Sequence, residues 1–206
     1  MGTSTSKPKQ TRTNSRRALE DAAGRSFDAI AEVFRELPPT SLDVRGFWAS
    51  GTGRWRGTEI GPHAGCMAGT LSACGWVGKN FYADGGADAL VFNRDGHSAP
   101  MRAPSAGMFR LSCSMPALLR ASRFPPTRWL GRAVMKETTE RTADLKPLVM
   151  DDTQVMSMSY RALDVTDCFK YVDERTVLGG MFLQRHDAFD AETKKPVFYF
   201  LLTKDD

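Results

Sequence analysis

The chain has 206 residues, 41% of them apolar, enough for one cored domain with appendages. No apolar run approaches the ~20 residues of a membrane-spanning helix and no secretory leader pattern is present, so a cytoplasmic protein is expected. The formal charge of +4 is uneven: Lys7, Lys9, Arg12, Arg16 and Arg17 stand ahead of residue 18 with no acid among them, leaving −1 on the rest, which argues against nucleic acid as a partner.

Residues 1–14 are rich in Thr, Ser and Lys and hold no large apolar residue after Met1, so a disordered basic tail is expected. Its start, Met-Gly-Thr-Ser-Thr-Ser, fits the pattern for acylation at Gly2. One acyl chain beside a basic run would give weak membrane association, and a cloning scar would leave the same residues. Over 15–39, Ala23, Phe27, Ile30, Phe34 and Leu37 recur at helical spacing, Ser15 is the candidate N-cap, and Pro38 and Pro39 end the segment. A single N-terminal helix packed on a sheet, or plugging one end of it, follows.

From residue 40 onward the chain reads as one β-barrel domain. Gly-rich breaks alternate with short β-branched and aromatic runs, predicting strands at 53–60, 76–82, 89–92, 134–139, 148–150, 155–160, 168–173, 176–183 and 196–203. The clearest hairpin is 167–183, with a polar turn at Asp173, Glu174 and Arg175. Short helices are expected at 64–74 and, broken by Pro116, at 105–123, the latter a candidate lid. Residues 96–136 hold seven basic side chains and no acid, which suits a lid facing an acidic ligand, a patch on anionic lipid, or a solvated loop. The fold class is therefore mainly β: an antiparallel barrel with an N-terminal helix and a short helical lid.

Gly53-Arg-Trp-Arg-Gly57 reads G-x-W-x-G: glycines sit where backbones crowd at a barrel floor, with the Trp55 indole between them closing it. With Phe34-Arg-Glu-Leu-Pro-Pro before it, and Gly61-Pro-His63, Gly75-Trp-Val-Gly-Lys79-Asn-Phe81 and Leu90-Val-Phe92 after it, the chain resembles the GXWXG family over about 40–95. Met158-Ser-Tyr160, Asp167-Cys-Phe169-Lys170, Val172 to Gly179 and Phe198-Tyr-Phe-Leu-Leu resemble the domain of unknown function that usually follows, over about 134–204. The resemblance implies a calycin-type barrel, of the lipocalin, fatty-acid-binding or nitrobindin kind, and supplies a fold more firmly than a function. The chain departs from the pattern at Arg161, Asp164 and Lys170, where Asp, Pro and Arg are expected, and is longer at 84–90 and 184–195.

Four side chains are candidates for chemistry. His63, beside a Pro turn at the barrel mouth, is the residue type that exchanges protons near neutral pH. Lys79 follows Trp76 by three, which on a regular strand sets the two on opposite faces. Either Trp76 faces a helix and Lys79 the interior, or Trp76 is core and Lys79 solvated. Asp167 alternates with Cys168; an interior Asp needs a partner or a raised pKa, with Lys79 and His63 the natural choices and Tyr160 completing the set. Such a pair would either move protons or close the barrel as an ion pair. Trp55, Trp76, Met156, Met158, Phe169, Phe182, Phe198 and Phe200 are the candidate ligand lining. Cys66, Cys74, Cys113 and Cys168 lack C-x-x-C spacing and the three histidines are scattered, so free thiols and no metal or other cofactor are expected. Three functions remain, the first two being binding of a hydrophobic or amphipathic small molecule and cofactor-free isomerisation or cyclisation of one. A membrane-tethered adaptor is the third.

Overall fold

The computed structural model describes residues 9–40, 44–50, 75–94, 96–102, 136–183, 188–189 and 196–204. The predicted strand at 53–60, the predicted helices at 64–74 and 105–123, Trp55 and His63 lie outside them.

Two helices replace the single one expected. α1 spans Lys9–Ala23 and α2 Phe27–Glu36. The break falls at Gly24, and Ser26, not Ser15, is the N-cap of α2: its Oγ accepts from the Ala29 amide at 3.1 Å, which satisfies an otherwise orphaned first-turn donor. Ser15 sits inside α1, which also takes in residues 9–14 of the expected tail. The apolar spacing runs through the break because Ala23 and Phe27 happen to stand four apart.

Among the described residues ten strands follow: β1 Gly46–Ser50, β2 Trp76–Phe81, β3 Gly86–Arg94, β4 His97–Pro100, β5 Ala143–Met150, β6 Thr153–Tyr160, β7 Thr166–Tyr171, β8 Thr176–Phe182, β9 Ala188–Phe189 and β10 Phe198–Lys204. Eight of them close an antiparallel barrel in the order β3-β2-β1-β10-β8-β7-β6-β5, and β5 returns to β3 through Gly86↔Asp144 and Ala87↔Ala143. β4 extends the far end of β3, and β9 lies parallel on the end of β5. The β7–β8 hairpin turns at 172–175, where the Val172 amide donates to Thr176 O at 2.9 Å and the Arg175 amide to Asp173 Oδ1 at 2.8 Å. Of the segment expected as a strand at 134–139, the described residues contribute only an isolated bridge, Met101↔Glu137.

Alternation sorts β6, β7, β8 and β10 cleanly. Met156, Met158, Tyr160, Phe169, Val177, Met181, Phe200 and Leu202 face the interior. Val155, Cys168, Leu178, Phe182, Tyr199 and Leu201 face outward, where Leu19, Ala22, Ile30, Phe34 and Leu37 of the helices cover them. The helices therefore back one wall and do not plug an end. Lys170 pins them: buried on that outer face, its Nζ donates to Arg35 O at 2.7 Å, a cation at the C-terminal end of α2 where the helix dipole favours it. Gly179 is required on the inner side. A Cβ there would stand 2.4 Å from the Phe200 ring, which lies across it.

The β2–β3 wall is irregular. Trp76 pairs with Phe92 but Gly78 with Val91, and Asn80 with Asp88, so one extra residue is accommodated first on β2 and then on β3. Such bulges re-aim side chains. Gly78 permits this with φ +153 and a site where a Cβ would meet Trp48 O at 2.1 Å.

Candidate functional site

The double bulge decides where Lys79 points. With one residue looped out between Trp76 and Gly78, the expected opposition of Trp76 and Lys79 is lost and both face the barrel interior. Trp76 packs on the inner cluster, edge-on to Phe200 at 6.5 Å between centroids. Lys79 is 2% exposed, and its Nζ lies 5.8 Å from the Trp76 ring centroid and 5.2 Å from those of Tyr160 and Phe200. Neither alternative weighed from the sequence describes this arrangement.

The opposite wall supplies the partners. Asp167 on β7 and Tyr160 on β6 are regular inward positions, and both are buried. Lys79 Nζ is 3.0 Å from Asp167 Oδ2 and donates to Tyr160 Oη at 2.9 Å. Tyr160 Oη in turn donates to the same Asp167 Oδ2 at 3.0 Å. The third Lys79 donor goes to Ala89 O at 3.0 Å, the carbonyl beside the β3 bulge. The Ala89 amide is held separately by Thr142 Oγ1 at 2.8 Å.

Electrostatics in this closed triad are set by burial. Loss of water pushes the Asp167 carboxyl above its usual range, against the pull of the Lys79 charge and the hydrogen bonds from Lys79 and Tyr160. Burial lowers the Lys79 ammonium, opposed by Asp167. It raises the Tyr160 phenol well above its ordinary value, helped by the neighbouring carboxylate. Burial thus disfavours the charge on both groups, and their mutual attraction and hydrogen bonds hold it in place.

Three buried polar atoms on residues of the inner wall have no hydrogen-bond partner among the described residues: Asp167 Oδ1 and the indole Nε1 atoms of Trp76 and Trp48. Trp48 stands directly across from Lys79 in the β1–β2 register and belongs to the inner cluster. It was not expected from the sequence, because Gly46–Ser50 is a short strand with no alternation to count.

Of the candidate lining, Trp76, Met156, Met158, Phe169 and Phe200 face the interior. Phe182 faces the helices instead, because β8 alternates from Met181 inward. Phe198 opens β10, and its side chain lies outside the described set, as do His63 and Trp55. The structure thus brings together Lys79, Tyr160 and Asp167 and shows nothing of His63. A second polar cluster, unforeseen, sits on the outer face of the bulged wall: Tyr82 Oη donates to buried Asp88 Oδ2 at 2.6 Å and accepts from Asn80 Nδ2 at 2.9 Å. The Arg141 guanidinium lies 3.3 Å over the Tyr82 ring centroid. Among the described residues no group of three or more His, Cys, Asp or Glu could hold a metal, and no helix is long and apolar enough to cross a membrane.

Residues 32–96 match the family model described as GXWXG protein, and residues 141–204 match that of a domain of unknown function, DUF4334. The chain is similar in fold to a protein from Thermomonospora curvata of known crystal structure, at 17% identity and a TM-score of 0.57, over 96% of this chain and 99% of that one. No curated protein matches the chain.

Proposed function

We propose, for a chain that matches the GXWXG model over residues 32–96 and the DUF4334 model over residues 141–204, that its barrel takes up a hydrophobic or amphipathic small molecule and reads it with the Lys79–Tyr160–Asp167 triad. The observation that carries this is the fully buried, three-way bonded ion pair set among Trp76, Phe200, Met158 and Phe169. Burying an ion pair is a poor route to stability, since apolar side chains of similar volume commonly do as well or better. Its place inside an eight-stranded ring, a size that suits one small ligand, is accounted for by recognition.

A second reading is favoured by the opposed shifts of Lys79 and Asp167: a cofactor-free isomerase or cyclase in which the pair moves a proton on the bound molecule. Extraction of the purified protein with organic solvent, followed by mass spectrometry, tests both. A stoichiometric apolar compound supports carriage. An empty protein that converts candidate precursors, with conversion lost in Asp167→Asn, supports catalysis. Neither retention nor conversion contradicts both.

A further inference from the structure

The hydrogen-bonding inventory of the triad is almost complete, and the remainder has a definite shape. All three N–H groups of Lys79 are committed, to Ala89 O, Tyr160 Oη and Asp167 Oδ2. The Tyr160 hydroxyl spends its proton on Asp167 Oδ2. What is left is one acceptor, Asp167 Oδ1, and the indole donors of Trp76 and Trp48, all buried. The Trp76 ring and the Asp167 carboxylate flank the same ammonium, at 5.8 Å and 3.0 Å from Lys79 Nζ. A buried polar atom without a partner is costly, so a single group that meets both kinds of atom is one that donates and accepts at once.

Resting on the ligand-binding reading above, we infer that the polar end of the ligand is a neutral hydroxyl, which donates to Asp167 Oδ1 and accepts from the Trp76 indole N–H. A carboxylate does not fit. It brings no proton for Oδ1, it sets a second negative charge against Asp167, and the one cation within reach among the described residues has no donor left for it. A hydrocarbon leaves all three atoms unmet. The ligand class is therefore an apolar alcohol, and this barrel differs in that respect from one built to hold a fatty acid anion.

Titration of the intact protein with four probes of equal chain length, read by tryptophan fluorescence and calorimetry at pH 7.5, tests this: dodecanol, dodecyl methyl ether, dodecanoate and dodecane. Dodecanol is expected to bind on the order of 10- to 100-fold tighter than the ether, which lacks the proton for a charged acceptor, and tighter than dodecanoate. Trp76→Phe, which keeps an aromatic ring, should weaken dodecanol and the ether by roughly three- to tenfold and leave dodecane unchanged. Four probes binding alike, or dodecanoate binding best, would overturn the hydroxyl assignment while leaving the ligand-binding reading in place. If none of the four binds, both fall.

Discussion

The two walls that meet at Lys79 and Asp167 are built on different principles. The β6–β7–β8–β10 wall keeps an unbroken register, and its outer face is sealed by α1 and α2, so each of its side chains takes the face that its place in the alternation assigns. The β2–β3 wall is bulged twice within a few residues, and no regular count assigns its faces. The contrast separates two jobs. The regular wall holds the acid and the phenol as fixed points, and the irregular wall bends until an ammonium on one strand reaches them.

The largest effect is expected where the walls join. Asp167→Ala leaves the Lys79 ammonium buried without its counter-charge, which should remove about 3–5 kcal/mol of stability, read as a lower urea midpoint. If the loss is only a few tenths, the walls are not coupled through this pair. Next comes the bulge. Gly78→Ala sets a Cβ against Trp48 O at a backbone angle that suits glycine, and a loss of about 3 kcal/mol is expected from strain and overpacking together. Nuclear magnetic resonance of the variant should show changes centred on Trp48 and Lys79 and not on Phe169 or Met181. Changes spread evenly over both walls would mean that the bulge is not a local device.

A smaller effect distinguishes the sealed face. Burial raises the Cys168 thiol and the Tyr199 phenol, both under the helices. Raised groups hold their protons in the folded state after the unfolded chain has released them. Their stabilisation is therefore complete below the ordinary thiol and phenol range, about 8.5–10, and is lost as pH climbs above it. Stability measured by denaturant between pH 8 and pH 11 should fall with rising pH, and Cys168→Ala should delay the onset of that fall toward the phenol range. An unchanged onset would mean that the thiol is not sealed.

The same contrast explains what could be read in advance. Closure into an antiparallel barrel, the 167–183 hairpin and the shared face of Asp167 and Phe169, opposite Cys168, follow from strand spacing, alternation and turn chemistry, and the regular wall obeys them, while which of the two faces is the inner one does not follow from alternation. On that wall Phe182 turns outward where the sequence suggests a lining position, because β8 is buried on both faces, which erases the polar half of the pattern. On the other wall, counting from Trp76 to Lys79 gave the wrong relation between them, since a looped-out residue reverses parity and nothing in Trp-Val-Gly-Lys says which residue is extra. Trp48 escaped for a related reason: a five-residue strand offers too few positions to show a period. The helix break at Gly24 was hidden by an apolar spacing that continues across it.

The central claim is that the buried triad is present for a bound molecule and not to hold the barrel shut. The most direct measurement replaces the whole triad at once, Lys79→Met, Tyr160→Phe and Asp167→Leu, and follows both the urea midpoint and dodecanol binding in one preparation. The claim predicts a midpoint at or above that of the unaltered protein, because apolar replacement of an intact buried pair is commonly neutral or stabilising by about 1–4 kcal/mol, together with loss of the preference for dodecanol over its methyl ether. A barrel that unfolds several kcal/mol more easily, or one that keeps that preference, would contradict it.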